Sequence, residues 1–542
     1  MKNYLKTIFD ETSEKLEYLR NNNAFFTVPN QKGHGDLSTN IAMLLTKELK
    51  KNTREIAKEI SENLKYDSKI IEKIEIAGPG FINFTFTPIF LTKIISQINE
   101  EKKSFGTSKK HFGKKANVEF VSANPTGPLT VGHGRNAVIG DTVANLLESV
   151  GYEVDREYYF NNAGRQMRVL GESVQLRYEE LLGEVICFPK EYYQGEYIKE
   201  IAQLLIDEHG DKLLSENDET IFKNKAETEI FKEIKSTLED LNIKMKIFYN
   251  ENSLYEEGKI DEVLSQFKEE NLSYTKDDAL WLKLTELGNE QDKVIVKSSG
   301  EPTYRLPDIA YHITKFNRGY DLIIDVFGSD HNATFPDVKA GIKALGFDSN
   351  KVNVLIHQFV TILDKGEVVK MSTRKANYIT LDELTKSVGK DVVRYFFNMR
   401  SLSSHLNFDI DLAKKQSEEN PVFYLQYAHA RISSILRITV EQNLHSSLLN
   451  LELLNTEAEI NLMKKLHQFT DEVLYSAENY EPHRIANYLE ELAANFHRFY
   501  TECRILGTEI KLAEARIALA KATQIVLKNG LSILGVTAPD SM

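Results

Sequence analysis

Cysteine, tryptophan and long apolar runs are scarce in this chain of 542 residues. Its two cysteines, Cys187 and Cys503, cannot build a disulfide framework and lack the spacing of zinc ligands. No apolar run approaches the roughly 18 residues that cross a membrane, and the first residues lack a signal-peptide core. We therefore expect a cytoplasmic protein with no membrane partner, no bound zinc and no other metal held by the protein itself.

Basic residues are outnumbered, since 67 Lys and Arg against 80 Asp and Glu give a net charge of −13. This balance argues against a protein that coats nucleic acid over its whole surface, but it leaves room for a local basic groove. Hydrophobic residues make up 42% of the chain, as in globular proteins. The length is enough for roughly three or four domains, each with its own core.

A strand, a glycine-rich loop, a helix and a second strand are predicted in that order between residues 117 and 159. Residues 118–122 are strand formers, and after Arg135 the apolar residues up to Val150 recur on one face of a helix. Residues 152–159 form the next predicted strand. This order begins a parallel α/β sheet, in which ligands bind beyond the carboxyl ends of the strands.

Three kinds of nucleotide-binding loop could explain these glycines. Residues 127–132 have Walker A spacing, but His133 and Gly134 stand where Lys and Ser or Thr belong. Residues 132–137 fit the dinucleotide pattern G-x-G-x-x-A, although a long segment with two prolines separates them from the strand. The third is an H-x-G-H nucleotidyl-transfer loop, here at residues 130–133, in which His133 at the helix start can donate to phosphate oxygens. A plain structural turn is the remaining alternative.

The chain divides into three predicted domains. Residues 1–112 combine helices with a β-hairpin and predict a small α+β domain. Residues 113–400 predict a Rossmann-like α/β domain with a parallel sheet, interrupted at about 183–290 by an acidic, helical insertion. Residues 401–542 predict an all-α bundle.

Motifs spread over most of the chain resemble those of arginyl-tRNA synthetases, a family of class I aminoacyl-tRNA synthetases. The segment that resembles the HIGH signature consists of Ala123, Asn124, Pro125, Thr126, Gly127, Pro128, Leu129, Thr130, Val131, Gly132 and His133. Residues 370–374 resemble the KMSKS signature, and 304–311, 420–431 and 530–542 match further family segments. The resemblance implies a class I catalytic domain between the small amino-terminal domain and the helical bundle.

The resemblance also implies the reaction. L-arginine and ATP, carried with Mg²⁺, would form arginyl-adenylate and pyrophosphate, and the arginyl group would then pass to arginine tRNA. In this family, activation typically needs bound tRNA. The helical domain would bind the anticodon, with Tyr427 and Met542 as local contacts, and the amino-terminal domain would touch the tRNA elbow. We expect a monomer.

Individual residues receive roles from the same resemblance. The implied catalytic residues are Thr130, His133 and Lys370. The implied ATP-binding residues are Gly132, Gly134, Asp330, His331, Met371 and Ser372. The implied arginine-binding residues are Glu119, Ser122, Asn124, Tyr304 and Asp308. Carboxylates suit a guanidinium, which is planar and permanently charged. The alternatives are a satisfied strand-edge carboxylate for Glu119 and a helix N-terminal charge for Asp308.

Two positions depart from the family pattern. Thr130 replaces the first histidine of HIGH, and its hydroxyl can donate a hydrogen bond but carries no charge. Thr373 replaces the second lysine of KMSKS, while Lys370, Arg374 and Lys375 stay close by in sequence.

Three other functions fit parts of the pattern. A stand-alone nucleotidyltransferase that adenylates a small acid would share the fold but would need neither terminal domain. A catalytically inactive paralogue that binds RNA would not need His133, Lys370, Glu119 and Asp308. A dehydrogenase would need a tight dinucleotide turn at the glycine loop, which a titration with NAD tests.

We predict that the protein rejects lysine as a substrate. Lysine carries the same charge as arginine, but only a guanidinium offers a planar fork of donors. A site built for several hydrogen bonds discriminates against a ligand that leaves them unmade by roughly 10⁴-fold or more. Steady-state charging of total tRNA with arginine or lysine measures this ratio, and a similar efficiency with both amino acids would contradict a pocket shaped for the guanidinium.

Overall fold

The computed structural model describes residues 1–29, 31, 33–215, 219–329, 335–369 and 379–542. Across these ranges, no helix combines the length and the apolar character needed to cross a membrane.

The helices and strands follow one another from end to end of the chain. The helices are α1 (Lys2–Thr12), α2 (Ile41–Leu49), α3 (Thr53–Asn63), α4 (Pro88–Glu101), α5 (Val131–Ser149), α6 (Gly164–Leu181), α7 (Glu196–His209), α8 (Glu219–Asp240), α9 (Asn252–Glu256), α10 (Lys259–Glu269), α11 (Arg305–Asn317), α12 (Phe335–Ala344), α13 (Leu381–Val388), α14 (Lys390–Asn398), α15 (Ile410–Lys414), α16 (Pro421–Glu441), α17 (Glu457–Asn479), α18 (Pro482–Glu502) and α19 (Ile510–Ile533). The strands are β1 (Leu37–Thr39), β2 (Ile71–Ala77), β3 (Phe81–Phe86), β4 (Lys115–Glu119), β5 (Glu153–Phe160), β6 (Ile247–Asn250), β7 (Ser273–Lys276), β8 (Ala279–Leu282), β9 (Lys293–Val296), β10 (Leu322–Gly328), β11 (Val352–His357), β12 (Val360–Asp364), β13 (Glu367–Val368) and β14 (Leu406–Asp409).

The amino-terminal part is built on an antiparallel sheet in the order β1-β3-β2, and the predicted hairpin is its β2–β3 pair. Helix α4, which follows this sheet, packs against α17 and α19 near the other end of the chain. Phe90 of α4 stacks on His467 of α17 with ring centres 5.7 Å apart. The buried carboxylate of Asp36 forms an ion pair with Lys464 of α17 at 2.5 Å. The two ends of the chain therefore pack directly against each other.

The central sheet has the order β11-β10-β4-β5-β6, and all of its neighbouring strands run parallel. Helix α5 lies so close to the chain beyond β4 that a Cβ on Gly140 would sit 2.2 Å from the Phe120 ring. Only glycine permits this approach. The predicted α/β class, with a parallel sheet and a helical carboxyl-terminal region, is confirmed.

Three local predictions differ from the structure. Residues 247–250, expected in the helical insertion, form the edge strand β6, whose four-residue length gives little periodic signal in the sequence. Residues 352–363 read in the sequence as one continuous strand but form two, because the chain leaves the parallel sheet after His357 and enters the sheet β13-β12-β14. Strand β14 pairs in parallel with β12, although residues 401–542 predict an all-α bundle.

Two buried arginines link helix α5 to other parts of the fold. Arg135 of α5 donates to the carbonyl oxygens of Gln358, Ser401 and Ser404 at 2.6, 3.1 and 3.1 Å, which fixes the sheet of β12 against α5. Arg394 of α14 donates to Asp141 of α5 at 2.6 Å. It also donates to the carbonyls of Leu241 and Leu534 at 2.8 and 2.9 Å, so the end of α19 is tied to the same helix.

Candidate functional site

Three acidic side chains lie in one row across the central sheet, with Glu119 at the end of β4 and with Asp325 and Glu157 inside β10 and β5. The register pairs Asp325 of β10 with Glu119 of β4, and Glu119 with Glu157 of β5. All three side chains are buried. Carboxylates removed from water need a positive partner, so a row of this kind requires compensation from a neighbouring element.

Helix α11 and the residue that follows it supply this compensation. The Lys315 ammonium contacts Glu119 Oε2 at 2.5 Å and Asp325 Oδ1 at 2.7 Å. The Arg318 guanidinium donates to Glu157 Oε1 at 2.9 Å, and the Tyr311 hydroxyl donates to the same oxygen at 3.0 Å. Each carboxylate of the row is therefore already paired.

His312 of α11 links this row to Asp308. Its Nδ1 lies 2.7 Å from the Asp308 carbonyl oxygen, and its Nε2 lies 2.9 Å from Asp325 Oδ2. Both partners can only accept, so both ring nitrogens donate and the ring carries a positive charge. Burial opposes that charge, but the Asp325 carboxylate outweighs it and raises the pKa of His312.

The Asp308 carboxylate differs from the row, because no side chain or backbone group within the described ranges makes an ion pair or hydrogen bond with it. Its removal from water raises its pKa to about 7. The positive charge of His312 opposes this effect, and the nearby charges of Glu119, Glu251 and Asp325 add to it. Asp308 is therefore poised to receive a cation from outside the protein.

Glu251, at the end of β6, is a fifth acidic residue beside Asp308, and sequence analysis missed it. Its carboxylate accepts from the Tyr159 hydroxyl at 2.7 Å and from the Asn161 amide at 2.8 Å. Burial raises its pKa. Only its position directly after a short apolar run could have indicated it. We call the set of five carboxylates the acidic pocket: Glu119, Glu157, Glu251, Asp308 and Asp325.

The loop after β4 turns sharply over this pocket. Val121 and Ser122 have φ values of 67° and 43°, in the left-handed region that non-glycine residues rarely adopt. Such a conformation costs on the order of 1–3 kcal/mol per residue. In this position the Ser122 hydroxyl donates to Glu119 Oε1 at 3.0 Å and accepts from the Tyr159 N–H at 3.1 Å. The predicted strand 118–122 therefore ends at Glu119.

Two further predicted residues, Asn124 and Tyr304, differ in their surroundings. Asn124 accepts from the Asn161 N–H at 3.0 Å and donates to Gln166 at 3.0 Å, so it is fixed next to the end of β5. Tyr304, directly before α11, is 87% exposed. The structure thus brings Glu119, Ser122 and Asp308 together, with Asn124 at the rim, and leaves the Tyr304 side chain in solvent.

The helix that follows the loop begins with a reciprocal cap. The Thr130 hydroxyl accepts from the His133 N–H at 3.5 Å, and His133 Nδ1 accepts from the Thr130 N–H at 3.2 Å. An accepting Nδ1 leaves the proton on Nε2. Burial, with a smaller contribution from His357, lowers the pKa of His133 to about 4. His133 is thus a neutral imidazole with one N–H to donate.

The glycines around His133 differ in their surroundings. Among the described residues, a Cβ on Gly132 would meet only the Thr130 hydroxyl at 3.7 Å, which leaves room beside this residue. A Cβ on Gly134 would lie 2.5 Å from Leu381, which means that packing alone explains glycine there. The predicted residues Asp330, His331, Lys370, Met371 and Ser372 lie outside the described residues, as do Thr373, Arg374 and Lys375.

Tyr427, which belongs to α16 of the helical bundle, and Met542, at the end of the chain, are the two residues predicted to contact tRNA. The Tyr427 ring stacks on Phe423 and on His497 with ring centres 6.2 Å apart in each pair, and the Arg431 guanidinium lies 5.6 Å from it. The chain end packs on the same helix, α16, through contacts from His429 to the Pro539 carbonyl and from Ser433 to Asp540. Met542 is 57% exposed.

Three family models match this chain and together span most of it. The model of the arginyl tRNA synthetase N terminal domain matches residues 3–86. The model of the class I (R) tRNA synthetase catalytic domain matches residues 94–394. The model of the DALR anticodon binding domain matches residues 425–542.

Whole proteins give the same match. The arginine–tRNA ligase of Desulfotalea psychrophila is 51% identical over 520 residues, which cover 95% of this chain and 94% of that protein. The arginine–tRNA ligase of Salinibacter ruber is 48% identical over the full length of both chains. The structure of Thermus thermophilus arginyl-tRNA synthetase superposes with a TM-score of 0.80 over both full chains at 20% identity, which shows a shared fold.

Proposed function

Since this chain belongs to the arginyl-tRNA synthetases and is an arginine–tRNA ligase, we propose that its acidic pocket binds the guanidinium of L-arginine at Asp308. The observation that carries this proposal is the unpaired Asp308 carboxylate beside a row of carboxylates that already have partners. A guanidinium can donate two parallel hydrogen bonds to one carboxylate. Bound arginine would supply the charge that the described part of the protein leaves unmatched.

Residues at the pocket rim would orient the other end of the amino acid. Ser122 and Asn124 stand next to Glu119 and the end of β5, where their polar groups can hold the α-amino and α-carboxylate groups. Glu251 joins them as a second carboxylate near the guanidinium. The role of Tyr304 rests on the family resemblance alone, because its side chain is exposed.

ATP is the second substrate of this family, and we propose that it arrives with Mg²⁺ on its phosphates. The open space beside Gly132 suits the close approach of a nucleotide, and the His133 Nε2–H group is free to donate to a phosphate oxygen. We further propose that Gly134, Asp330, His331, Met371 and Ser372 contribute to ATP binding and that Lys370 acts on its phosphates.

The reaction follows from these placements. An oxygen of the arginine carboxylate attacks the α-phosphorus of ATP, and the bond to pyrophosphate breaks, which gives arginyl-adenylate. A hydroxyl of the terminal tRNA ribose then attacks the arginyl carbonyl carbon, and AMP leaves. His133 stabilises the charge that develops on the phosphate in the first step. Thr130 acts through His133, because its hydroxyl accepts from the His133 N–H and its backbone N–H donates to His133 Nδ1.

The roles of the three domains are also a proposal. We infer that residues 1–112 contact the tRNA elbow, that 113–400 carry catalysis and that 401–542 bind the anticodon. The pairing of β14 with β12 extends the catalytic unit beyond residue 400. The platform of Phe423, Tyr427 and His497 suits stacking with unpaired bases, and Met542 lies at the end of the tail packed on the same helix. We further propose that the enzyme works as a monomer in the cytoplasm.

Replacing Asp308 by Asn should raise the Michaelis constant for arginine by roughly 10- to 100-fold, since a hydrogen bond to a charged group is lost, and should change that for ATP little. The wild type should lose kcat/KM for arginine as the pH falls below about 7, because protonation removes the negative charge of Asp308. The variant should lack this pH dependence.

The matched control for this experiment is Asp382→Asn in α13, which removes an acidic residue from the first turn of another helix. It should leave both Michaelis constants unchanged. If Asp308→Asn altered only the constant for ATP, Asp308 would belong to the nucleotide site, and the guanidinium would bind elsewhere.

Replacing His133 by Ala should lower kcat by roughly 100- to 1000-fold while the Michaelis constant for ATP changes little, because the donated hydrogen bond strengthens in the transition state. Thr130→Ser keeps the capping hydroxyl and should retain most of the activity. Thermal unfolding of each variant separates chemistry from folding. A loss of folded protein that matches the loss of rate would mean that His133 is structural.

Replacing Tyr427 by Ala should raise the Michaelis constant for arginine tRNA by roughly 5- to 100-fold, since stacking of one base on an aromatic ring is worth that much. The rate at saturating tRNA should persist. Tyr475→Ala is the control, because the Tyr475 ring of α17 is exposed and also lies near an arginine guanidinium, that of Arg484 at 4.3 Å. Equal effects of the two substitutions would remove the reason to assign tRNA binding to the Tyr427 surface.

A further inference from the structure

A lysine of the protein itself is buried in the floor of the acidic pocket. The Lys315 side chain has no exposed surface, and its ammonium lies between Glu119 and Asp325 at 2.5 and 2.7 Å. The ring of Tyr311 is centred 4.5 Å from the same nitrogen. Lysine is almost never fully buried unless it is paired, so these contacts fully account for its position.

The contacts of Lys315 fix the orientation of Glu119. Oε2 is taken by the ammonium and Oε1 accepts from the Ser122 hydroxyl, which in turn accepts from the Tyr159 N–H. The carboxylate can therefore no longer rotate without losing a hydrogen bond. Each Glu119 oxygen keeps only one further lone pair with which it can accept a hydrogen bond.

The same ammonium occupies the place where a second amine would bind. Glu119 and Asp325 are neighbours across two parallel strands, and a pair of carboxylates at this spacing holds a compact ammonium. The Asp325 carboxylate is saturated further by His312 on its other oxygen. Among the described residues, the Asp308 carboxylate has no hydrogen-bond or ion-pair partner, and it can accept two parallel hydrogen bonds from a guanidinium.

We propose that Lys315 is a specificity-determining positioning residue. It orients Glu119 for arginine and fills the ammonium site that a substrate lysine would otherwise use. This inference rests on the proposed arginine pocket. Lys315 does not touch the reacting atoms, so its effect is on amino acid recognition and not on the chemical step.

The test is Lys315→Met, which keeps the length of the side chain and removes its charge. We expect the Michaelis constant for arginine to rise roughly 10- to 100-fold, as for the loss of a charged hydrogen bond, and that for ATP to stay within a few-fold. The ratio of kcat/KM for arginine over lysine should fall about 10-fold or more. Unchanged arginine binding and unchanged discrimination in the folded variant would overturn the proposal.

Lys465→Met is the matched control. Lys465 is also buried, also pairs with a glutamate, Glu491 at 2.5 Å, and also lies 4.5 Å from a tyrosine ring, that of Tyr488. It belongs to α17, away from the pocket, so its loss should affect folding stability but neither the arginine constant nor the discrimination. An equal effect of Lys465→Met on arginine recognition would mean that Lys315 acts only through general stability.

Lys315→Met leaves Glu119 and Asp325 buried without an ammonium, which destabilises the folded protein. A second variant is therefore measured in which less charge is left unpaired. Lys315→Met with Asp325→Asn removes one charge of each sign and retains the shape of the site. Glu119 still lacks its partner there, so the defect in arginine recognition should persist. A return to wild-type constants would mean that Lys315 serves only to balance charge, and the proposal would fail.

Asp308→Asn, measured beside these variants, separates this inference from the proposed function. If Asp308→Asn weakens arginine binding and the Lys315 variants do not, the pocket stands and the role of Lys315 is wrong. If none of them affects the arginine constant, the pocket itself is wrong.

Discussion

The alignment of three carboxylates across neighbouring parallel strands is the constraint on which the site depends. The register of β10, β4 and β5 puts Asp325, Glu119 and Glu157 side by side in the interior. Such a row is tolerable only because the helix above it brings Lys315 and Arg318 within ion-pair distance. The position of α11 is thereby fixed, and with it the position of Asp308 at the helix start. The position of the acidic pocket follows from the need to neutralise the sheet.

The sequence predicted the parts of this arrangement that depend on local pattern. The parallel sheet, the helix after the glycine loop, and Glu119 and Asp308 as acids of one pocket could all be inferred from periodicity, turn residues and family motifs. Glu251 could not, because a four-residue edge strand carries almost no periodicity and its neighbour in the sheet is about 90 residues away in sequence. The partners of Glu119 were hidden for a similar reason. Lys315 looks like an ordinary helix lysine until the fold buries it.

Thr130 departs from the HIGH motif and has a structural role of its own in this chain. The position that holds a histidine in the HIGH signature here holds a helix cap, and Thr, with Ser, Asp and Asn, is a favoured capping residue. The cap also determines which nitrogen of His133 carries the proton, because the backbone N–H of Thr130 points at Nδ1. One imidazole is absent, and the other is held in a single tautomer.

The ion pair between Asp36 and Lys464 has a consequence for synthesis on the ribosome. The amino-terminal sheet buries Asp36, yet the cation that neutralises it is translated more than 400 residues later. His467, on which Phe90 stacks, is also translated several hundred residues after it. The amino-terminal sheet and α4 therefore complete their packing late, and the α4 face stays exposed until the helical bundle has formed. Contacts of such high sequence separation slow folding, so this face is where the nascent chain has the greatest need of protection from aggregation.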